Sequence, residues 1–306
     1  MNERRIRVAI LGSGNIGVDL CERLLRDSHF DVVALVGRRK DSPGLARFEG
    51  RIRHLLAGGI ESFLPMADSV DGVFDATSAF DHARHWHELA ARGKWMIDLT
   101  PSRIGLPMVP VLIGKCSAME VLPSDQPANY SMVTCGGQSS APLLHSIASN
   151  AAGIQEVEVS SSIAALSAGP ATRLNVDQYI ESTEDLASII TGCPTVKAIL
   201  VLNPSTPPVM MRTTATVRAR DIDMAGVMAH CEAIVSDIQA SVPGYTVVVA
   251  PHSSERDKII VTARVTGAGY YLPDYAGNLD IINAAAVETA RIHGSAAIDL
   301  GKGIGP

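Results

Sequence analysis

Hydrophobic runs alternate with stretches of helical periodicity through the first third of the chain. After the run RIRVAIL, the apolar positions of residues 18–26 recur at the spacing of an amphipathic helix, and the alternation continues to about residue 100. Such a succession is typical of right-handed crossovers between parallel strands. We therefore predict an α/β domain with a doubly wound parallel sheet. Its predicted strands are 5–11, 31–36, 73–76 and 95–99.

The hydrophobic pattern changes after about residue 134. Ser139, Ser140 and Pro142 mark the start of a helix over 139–151, because serine and proline are favoured where a helix begins. Apolar and polar residues then alternate, which is typical of a half-exposed sheet. We predict a second, α+β domain with a mostly antiparallel sheet covered by helices. Its predicted strands are 157–164, 198–202, 214–220 and 258–265, with a helix at 225–240. A last helix, at about 278–292, follows this domain.

The length of 306 residues favours two domains, because a single hydrophobic core rarely grows this large. We assign residues 1–134 to the first domain and 135–277 to the second. The tail at 294–306 is rich in glycine and alanine, and we predict that it is loose.

Composition narrows the class of protein. Hydrophobic residues make up 46% and aromatic residues 4%, a composition typical of layered α/β packing. The net charge of -6 gives no reason to expect nucleic acid or an anionic membrane as a partner. There is no signal peptide pattern, and no apolar stretch approaches the roughly 18 residues of a membrane helix. The five cysteines lack CxxC spacing, which favours the cytoplasm and argues against disulfides or zinc.

A glycine-rich hexapeptide, GSGNIG, lies between the first predicted strand and the first predicted helix. It fits the pattern G-x-G-x-x-G, in which glycines allow a tight turn, a close approach to a pyrophosphate and close helix packing. The helix N-terminus adds partial positive charge. We predict a Rossmann dinucleotide site here, against the alternative of a turn that serves packing alone. Its residues are Gly12, Ser13, Gly14, Asn15, Ile16 and Gly17.

The end of the second predicted strand bears on the choice of cofactor. An NAD site usually has an acidic residue there, whereas arginine accommodates the 2′-phosphate of NADP. This chain has Arg38 and Arg39, and the first acidic residue is Asp41. We therefore favour NADP over NAD. The alternative is a solvated basic loop.

The segment MVTCGGQ precedes a predicted helix and contains the candidate nucleophile, Cys135. A helix N-terminus stabilises a thiolate and lowers its pKa. Backbone N–H groups after the cysteine, including that of Gly136, are candidate oxyanion donors, and the amide of Gln138 is a candidate substrate contact. The other cysteines are interpreted as small buried hydrophobic residues, namely Cys21, Cys116, Cys193 and Cys231.

Two further segments are candidate ligand sites. One is a loop of small and polar residues, in which Arg173 or Asn175 is able to hold an amide or a carboxylate; a plain surface turn is the alternative. In the other, Asn278 either caps the last helix or binds a ligand. The loop comprises Ser167, Ala168, Gly169, Pro170, Ala171, Thr172, Arg173, Leu174 and Asn175.

Three histidines, His82, His85 and His87, fall on one predicted helix. Their spacing does not match the i, i+4 pair of a helical metal site. We interpret them as part of a solvated helix face and expect no bound metal.

Taken together, the ordered motifs resemble one family, the acylating acetaldehyde dehydrogenases, over about residues 5–292. These are coenzyme-A-dependent enzymes that partner a 4-hydroxy-2-oxovalerate aldolase. The motifs are GSGNIG (12–17), FDATSA (74–79), IDLTP (97–101), MVTCGGQ (132–138), SAGPATR (167–173), LNP…PPVMMR (202–212) and YLPDYAGNLDI (271–281).

The resemblance implies a glyceraldehyde-phosphate-dehydrogenase-like fold. In it the last helix completes the Rossmann domain, and the second domain serves catalysis and dimerisation, so that a homodimer is expected. It implies that Cys135 forms an acyl thioester with coenzyme A as co-substrate. It also implies nicotinamide-cofactor contacts at Ser13 to Ile16, along Ser167 to Asn175, and at Asn278.

The chain departs from the family pattern at several places. Thr213 occupies the position of an aspartate suggested to act as the acid/base, so water, the helix dipole or another carboxylate has to serve instead. Arg38 and Arg39 replace the family's acidic residue, which supports NADP. Residues 79–87 and the stretch around 246–258 also differ, and both bear on the acyl pocket or on the surface that docks an aldolase.

The expected reaction interconverts an aldehyde, coenzyme A and the oxidised cofactor with an acyl-CoA and the reduced cofactor. One alternative is a semialdehyde dehydrogenase in which water or phosphate resolves the thioester. Another is a dinucleotide-binding redox sensor without catalysis.

Overall fold

The computed structural model describes residues 4–123, 126–255 and 257–302, and the chain divides into two compact units. Unit 1 comprises residues up to Met108, Val121–Met132 and the chain from Ala286 onward. Unit 2 comprises Val109–Glu120 and Val133–Ala285.

Unit 1 contains a seven-stranded, fully parallel sheet in the order β3-β2-β1-β4-β5-β7-β6. The central strands are buried on both faces, as expected when helices cover both sides of a parallel sheet. The strands are β1 (Ile6–Leu11), β2 (Phe30–Gly37), β3 (His54–Ala57), β4 (Gly72–Asp75), β5 (Trp95–Asp98), β6 (Leu106–Pro107) and β7 (Asn129–Ser131), and the helices are α1 (Asn15–Leu24), α2 (Pro43–Ala46), α3 (Ile60–Phe63) and α4 (Ala79–Ala90). The predicted doubly wound sheet is confirmed.

Unit 2 contains a five-stranded mixed sheet in the order β11-β12-β10-β8-β9. Only the β8–β9 pair is parallel, so the sheet is mostly antiparallel, as predicted. Helix α5 packs against β8 and β10 and against α7 and α8. The elements are α5 (Cys135–Ala148), β8 (Ala151–Ala164), α6 (Pro170–Leu174), α7 (Val176–Thr191), β9 (Val196–Asn203), β10 (Met211–Ile222), α8 (Met224–Gln239), β11 (Tyr245–Glu255), β12 (Lys258–Val265) and α9 (Gly277–Lys302).

Several predicted boundaries are corrected by the structure. Helix α5 begins at Cys135 rather than at residue 139, because Thr134 caps it. The segment 167–175, predicted as a loop, contains α6. The tail predicted to be loose from 294 is helical to Lys302, and residues 303–306 lie outside the described residues.

Helix α9 contributes to both units, with its residues from Ala286 onward belonging to unit 1. There His293 is fully buried, and its ring meets the rings of Trp95 and Tyr130 edge-on at 5.9 Å and 5.5 Å between centroids. Gly294 packs against Ile6 so closely that an added Cβ would lie 2.7 Å from the Ile6 side chain. This part of α9 therefore belongs to the hydrophobic core of unit 1.

Candidate active site

The glycine turn in unit 1 connects β1 to α1, as predicted. Gly12 has φ 108°, and a Cβ there would collide with the carbonyl oxygen of Ala76. A Cβ at Gly17 would collide with the carbonyl oxygen of Gly12. At Gly14, by contrast, no described atom lies within 4 Å of an added Cβ. Two glycines are thus required by packing, while the space beside the third is open, as a bound pyrophosphate requires.

The chain after β2 runs close to this turn. Ser42 Oγ lies 2.8 Å from Ser13 Oγ, which joins the start of α2 to the glycine turn. Arg38 and Arg39 are exposed, and Arg39 Nε donates to Asp41 Oδ1 over 2.8 Å. The two arginines therefore lie on the surface just beyond β2, and Asp41 partly neutralises one of them.

A buried polar cluster lies where β4 and β5 end. Asp75 Oδ2 accepts hydrogen bonds from His82 Nδ1 at 2.9 Å and His85 Nδ1 at 2.8 Å. Both histidines are buried, so the prediction that they lie on a solvated helix face is wrong for these two and holds only for His87, which is exposed. The reason is tertiary, because their spacing on α4 turns both rings toward Asp75. No set of three or more His, Cys, Asp or Glu side chains in the described ranges is arranged to hold a metal ion.

The charges of this cluster are coupled. Burial alone would raise the pKa of Asp75, but hydrogen bonds from His82 and His85 lower it well below its usual value. Burial would likewise lower the pKa of His82, yet Asp75 and Asp98 raise it. For Asp98, burial and the neighbouring Asp75 raise the pKa to about 6. Asp75 is therefore held in its ionised form, and His82 binds a proton more readily than an ordinary histidine.

In unit 2, Cys135 is the first residue of α5. The Thr134 side chain caps the helix by accepting from the N–H of Gly137 at 2.8 Å. Thr183 Oγ1 donates its hydrogen to the Tyr179 carbonyl at 2.7 Å. Thr183 is therefore the acceptor in its 2.8 Å hydrogen bond with Thr134 Oγ1. Helix α7 thereby fixes the helix start that presents the cysteine.

The sulfur of Cys135 lies beside a buried phenol, a residue that the sequence analysis missed. Tyr179 Oη is 3.7 Å from Cys135 Sγ and accepts from the N–H of Gly136 at 3.0 Å. A Cβ on Gly136 would collide with this oxygen and lie 2.7 Å from Ser161 Oγ. The hydroxyl groups of the protein therefore occupy the space beside Gly136, where the sequence suggested that a substrate would approach.

The backbone N–H groups expected to form an oxyanion hole already have partners within the protein. The N–H of Gly136 binds Tyr179, that of Gly137 binds Thr134, and that of Gln138 donates to the Thr134 carbonyl at 2.9 Å. All three amides are therefore engaged within the protein. The Gln138 side chain is buried.

The expectation of a lowered thiol pKa is also corrected. Burial raises the pKa of the Cys135 thiol to about 11, although the Tyr179 hydroxyl and the backbone N–H of Gly136 act in the opposite direction. Only 8% of the residue is exposed. In this structure desolvation thus outweighs the helix terminus.

The loop and the last helix contribute two buried amides. Asn175 Nδ2 donates to the Ala171 carbonyl at 2.6 Å, and its Oδ1 accepts no hydrogen bond within the described chain. Arg173 folds back and donates to the Ala165 carbonyl at 2.9 Å. Asn278 follows the first residue of α9, so it is not the cap, and its buried Oδ1 also accepts no hydrogen bond from described residues. An amide-bearing ligand such as nicotinamide would satisfy such acceptors.

Comparisons with known proteins agree with this geometry. Residues 135–273 match the family model described as "Prokaryotic acetaldehyde dehydrogenase, dimerisation", and residues 7–105 match "Semialdehyde dehydrogenase, NAD binding domain". The acetaldehyde dehydrogenase of Pectobacterium atrosepticum is 42% identical over 93% of this chain and 94% of its own. That of Spirochaeta aurantia is 41% identical over 95% of this chain and 96% of its own. The chain belongs to the acetaldehyde dehydrogenase family.

A solved structure supports the fold. Aspartate semialdehyde dehydrogenase II from Vibrio cholerae aligns with a TM-score of 0.63 at 18% identity, covering 94% of this chain and 98% of that one. The predicted glyceraldehyde-phosphate-dehydrogenase-like fold is thus confirmed. Family membership makes the chain an oxidoreductase with a nicotinamide-cofactor domain, and the match to a dimerisation domain supports a homodimer. None of the described helices is both long and apolar enough to cross a membrane.

Proposed function

We propose that this chain is a coenzyme-A-acylating aldehyde dehydrogenase that works through a thioester on Cys135. The observation that carries the proposal is the placement of Cys135 at the first residue of α5, with a phenolic hydroxyl beside Sγ, in a chain of this family. A cysteine held at a helix start beside hydrogen-bond donors is a suitable covalent nucleophile.

The chain's residues have defined tasks in this reaction. Cys135 Sγ, as the thiolate, attacks the aldehyde carbon to form the anion of a thiohemiacetal, and loss of hydride restores the C=O bond and leaves a thioester. The nicotinamide ring, when bound, accepts that hydride. The thiol of coenzyme A loses its proton to solvent and attacks the acyl carbon, and Cys135 Sγ leaves with the bonding electrons. The reverse sequence reduces an acyl-CoA to an aldehyde.

Candidate cofactor contacts are proposed for each unit by itself. In unit 1, the open space at Gly14 and the start of α1 support pyrophosphate binding by residues 12–17. In unit 2, the buried acceptors of Asn175 and Asn278 support contacts to the carboxamide. Division of the chain into a dinucleotide-binding part (1–134 with the last helix) and a catalytic part (135–277) is supported by the two family-model spans.

We propose a preference for NADP over NAD, because Arg38 and Arg39 lie just beyond β2, where a 2′-phosphate is usually recognised. Arg38→Ala should raise the KM for NADPH about tenfold and leave the KM for NADH within twofold. Arg53→Ala is a matched control because it is an exposed arginine elsewhere in unit 1. Equal effects on both cofactors would refute the assignment.

The central experiment is a matrix of acyl-CoAs against NADH and NADPH, followed at the nicotinamide absorbance. Cys135→Ala should abolish turnover, whereas Cys231→Ala should retain it, because Cys231 is a buried cysteine of α8 with no proposed role. Full activity in Cys135→Ala would refute the thioester mechanism.

Omitting coenzyme A from the aldehyde oxidation assay tests the alternatives. Sustained turnover with water or phosphate would indicate a semialdehyde dehydrogenase of the hydrolytic or phosphorylating kind. Dinucleotide binding without turnover would indicate a redox sensor. A 4-hydroxy-2-oxovalerate-type aldolase partner is proposed from the family resemblance, and co-purification of the two proteins tests it.

A further inference from the structure

A chain of buried hydroxyl groups ends at the sulfur of Cys135. Thr213 Oγ1 lies 3.1 Å from Ser161 Oγ. The oxygens of Ser161 and Tyr179 both lie within 2.7 Å of the position of a Cβ built on Gly136, and Tyr179 Oη is 3.7 Å from Sγ. Thr213, Ser161 and Tyr179 are 0%, 1% and 6% exposed. Strands β10 and β8 pair Thr213 with Ser161 directly, so the sheet fixes their spacing.

The direction of these hydrogen bonds follows from which groups are able to donate. The backbone N–H of Gly136 only donates, so Tyr179 Oη accepts that bond. A thiolate has no hydrogen to donate, so when Sγ is ionised the Tyr179 hydroxyl is the donor of the pair that these two atoms form. The phenolic hydrogen then points at the sulfur.

The phenol keeps its proton at neutral pH. Burial and the neighbouring Cys135 raise the pKa of Tyr179 well above its usual value. A phenol that stays protonated retains the hydrogen that it donates to the sulfur. Hydroxyls that polarise one another also donate more strongly at the end of such a chain.

We infer that Tyr179 is a catalytic residue that donates its phenolic hydrogen to Cys135 Sγ whenever the sulfur is negatively charged. This inference rests on the proposed function. The sulfur is negative twice, before it attacks the carbonyl and when it leaves the thioester. In the first case the Sγ–H proton passes to bulk water, and no bond of Tyr179 breaks. Ser161 and Thr213 are positioning residues that orient and polarise the phenol.

The experiment measures the alkylation rate of Cys135 by iodoacetamide against pH, with the Cys135 peptide quantified by mass spectrometry so that the other cysteines do not interfere. Losing one charge-assisted hydrogen bond should lower the thiolate fraction about ten- to a hundredfold. A thiolate with a higher pKa is intrinsically more nucleophilic, which recovers about half of this effect on a logarithmic scale. Tyr179→Phe should therefore react about three- to tenfold more slowly at pH 8.

Tyr245→Phe is the matched control. Tyr245 is a fully buried tyrosine that donates to the Ser139 carbonyl in the same helix α5, at 2.7 Å, and its hydroxyl has no described bond to Sγ. It should alkylate at the wild-type rate within the error of the assay, so that the smaller effect of a more distant hydroxyl is also resolved. Thr213→Val removes only the far hydroxyl at nearly constant volume, and it should slow alkylation by about twofold. That variant keeps the test decisive if Tyr179→Phe does not fold.

The inference is overturned if Tyr179→Phe alkylates as fast as wild type, or if Tyr245→Phe slows it equally. Acyl-CoA reduction is measured in parallel, since alkylation does not require turnover. If Cys135→Ala still reduces acyl-CoA at the wild-type rate, the proposed function is refuted, whatever the alkylation rates show. Normal turnover in the wild type with no effect of Tyr179→Phe on alkylation would refute the inference alone.

Discussion

Replacing His82 by leucine tests the buried cluster of unit 1. The substitution removes the 2.9 Å bond to Asp75 Oδ2 and the 2.9 Å contact between His82 Nε2 and Asn129 Nδ2. Breaking a buried ion pair costs about 3–5 kcal/mol, because a charge remains without compensation. Here His85 and the N–H of Thr77 still donate to Asp75, so we expect the lower end, about 3 kcal/mol.

Thermal unfolding measures this effect. For a unit of this size about 1 kcal/mol corresponds to roughly 2–4 °C, so Tm should fall by roughly 6–12 °C. His87→Leu is the control, because His87 is exposed on the same helix and should shift Tm by less than about 2 °C. Equal shifts in the two variants would refute the buried ion pair.

The effect of pH on this stabilisation follows from the directions of the two pKa shifts. Asp75 has a lowered pKa when folded, so its contribution is present above its unfolded pKa near 4 and is lost as pH falls. His82 has a raised pKa when folded, so its contribution is complete below its unfolded pKa near 6.5 and is lost as pH rises through the raised value. The difference between wild type and His82→Leu should therefore be largest between about pH 4 and 6.5.

Three further outcomes are expected. Gly136→Ala should lower Tm and slow Cys135 alkylation, because its Cβ would displace the Tyr179 hydroxyl. Gly137→Ala should have a smaller effect on both, because its Cβ would lie no closer than 3.0 Å to any atom outside the helix backbone. Asp98 has a folded pKa of about 6, so wild-type stability should fall as pH rises from about 4 to 6, and Asp98→Asn should flatten that slope in denaturant titrations. Asn278→Ala should raise the cofactor Kd in fluorescence titrations about tenfold, because it would remove one buried hydrogen bond to the cofactor. An unchanged Kd would exclude Asn278 from the cofactor site.

The strands that bury one or both faces could be predicted from the sequence, because burial imposes a readable period. β1, β2 and β12 follow their predicted ranges closely. Strand β11 was missed because it is mostly exposed and contains Pro251, so its hydrophobic alternation is weak. Helix α7 was missed because the small and polar residues directly before it indicate only a ligand loop.

In the candidate site, too, only the features that depend on neighbouring residues in the sequence could be predicted. Ser139, Ser140 and Pro142 predict a helix start a few residues after Cys135, since these signals are local. Tyr179 lies 44 positions further along and meets Cys135 only through the packing of α7 on α5. The thiol pKa was predicted in the wrong direction because it depends on desolvation, which is set by the whole unit.

Helix α9 completes the hydrophobic core of unit 1, to which the first strand, β1, also belongs. Trp95, Tyr130 and Ile6 receive their partners His293 and Gly294 only after all of unit 2 has been synthesised. On the ribosome, domains usually fold in the order of their synthesis. Here unit 1 begins first but is unable to complete its hydrophobic core until the chain of unit 2 has been made.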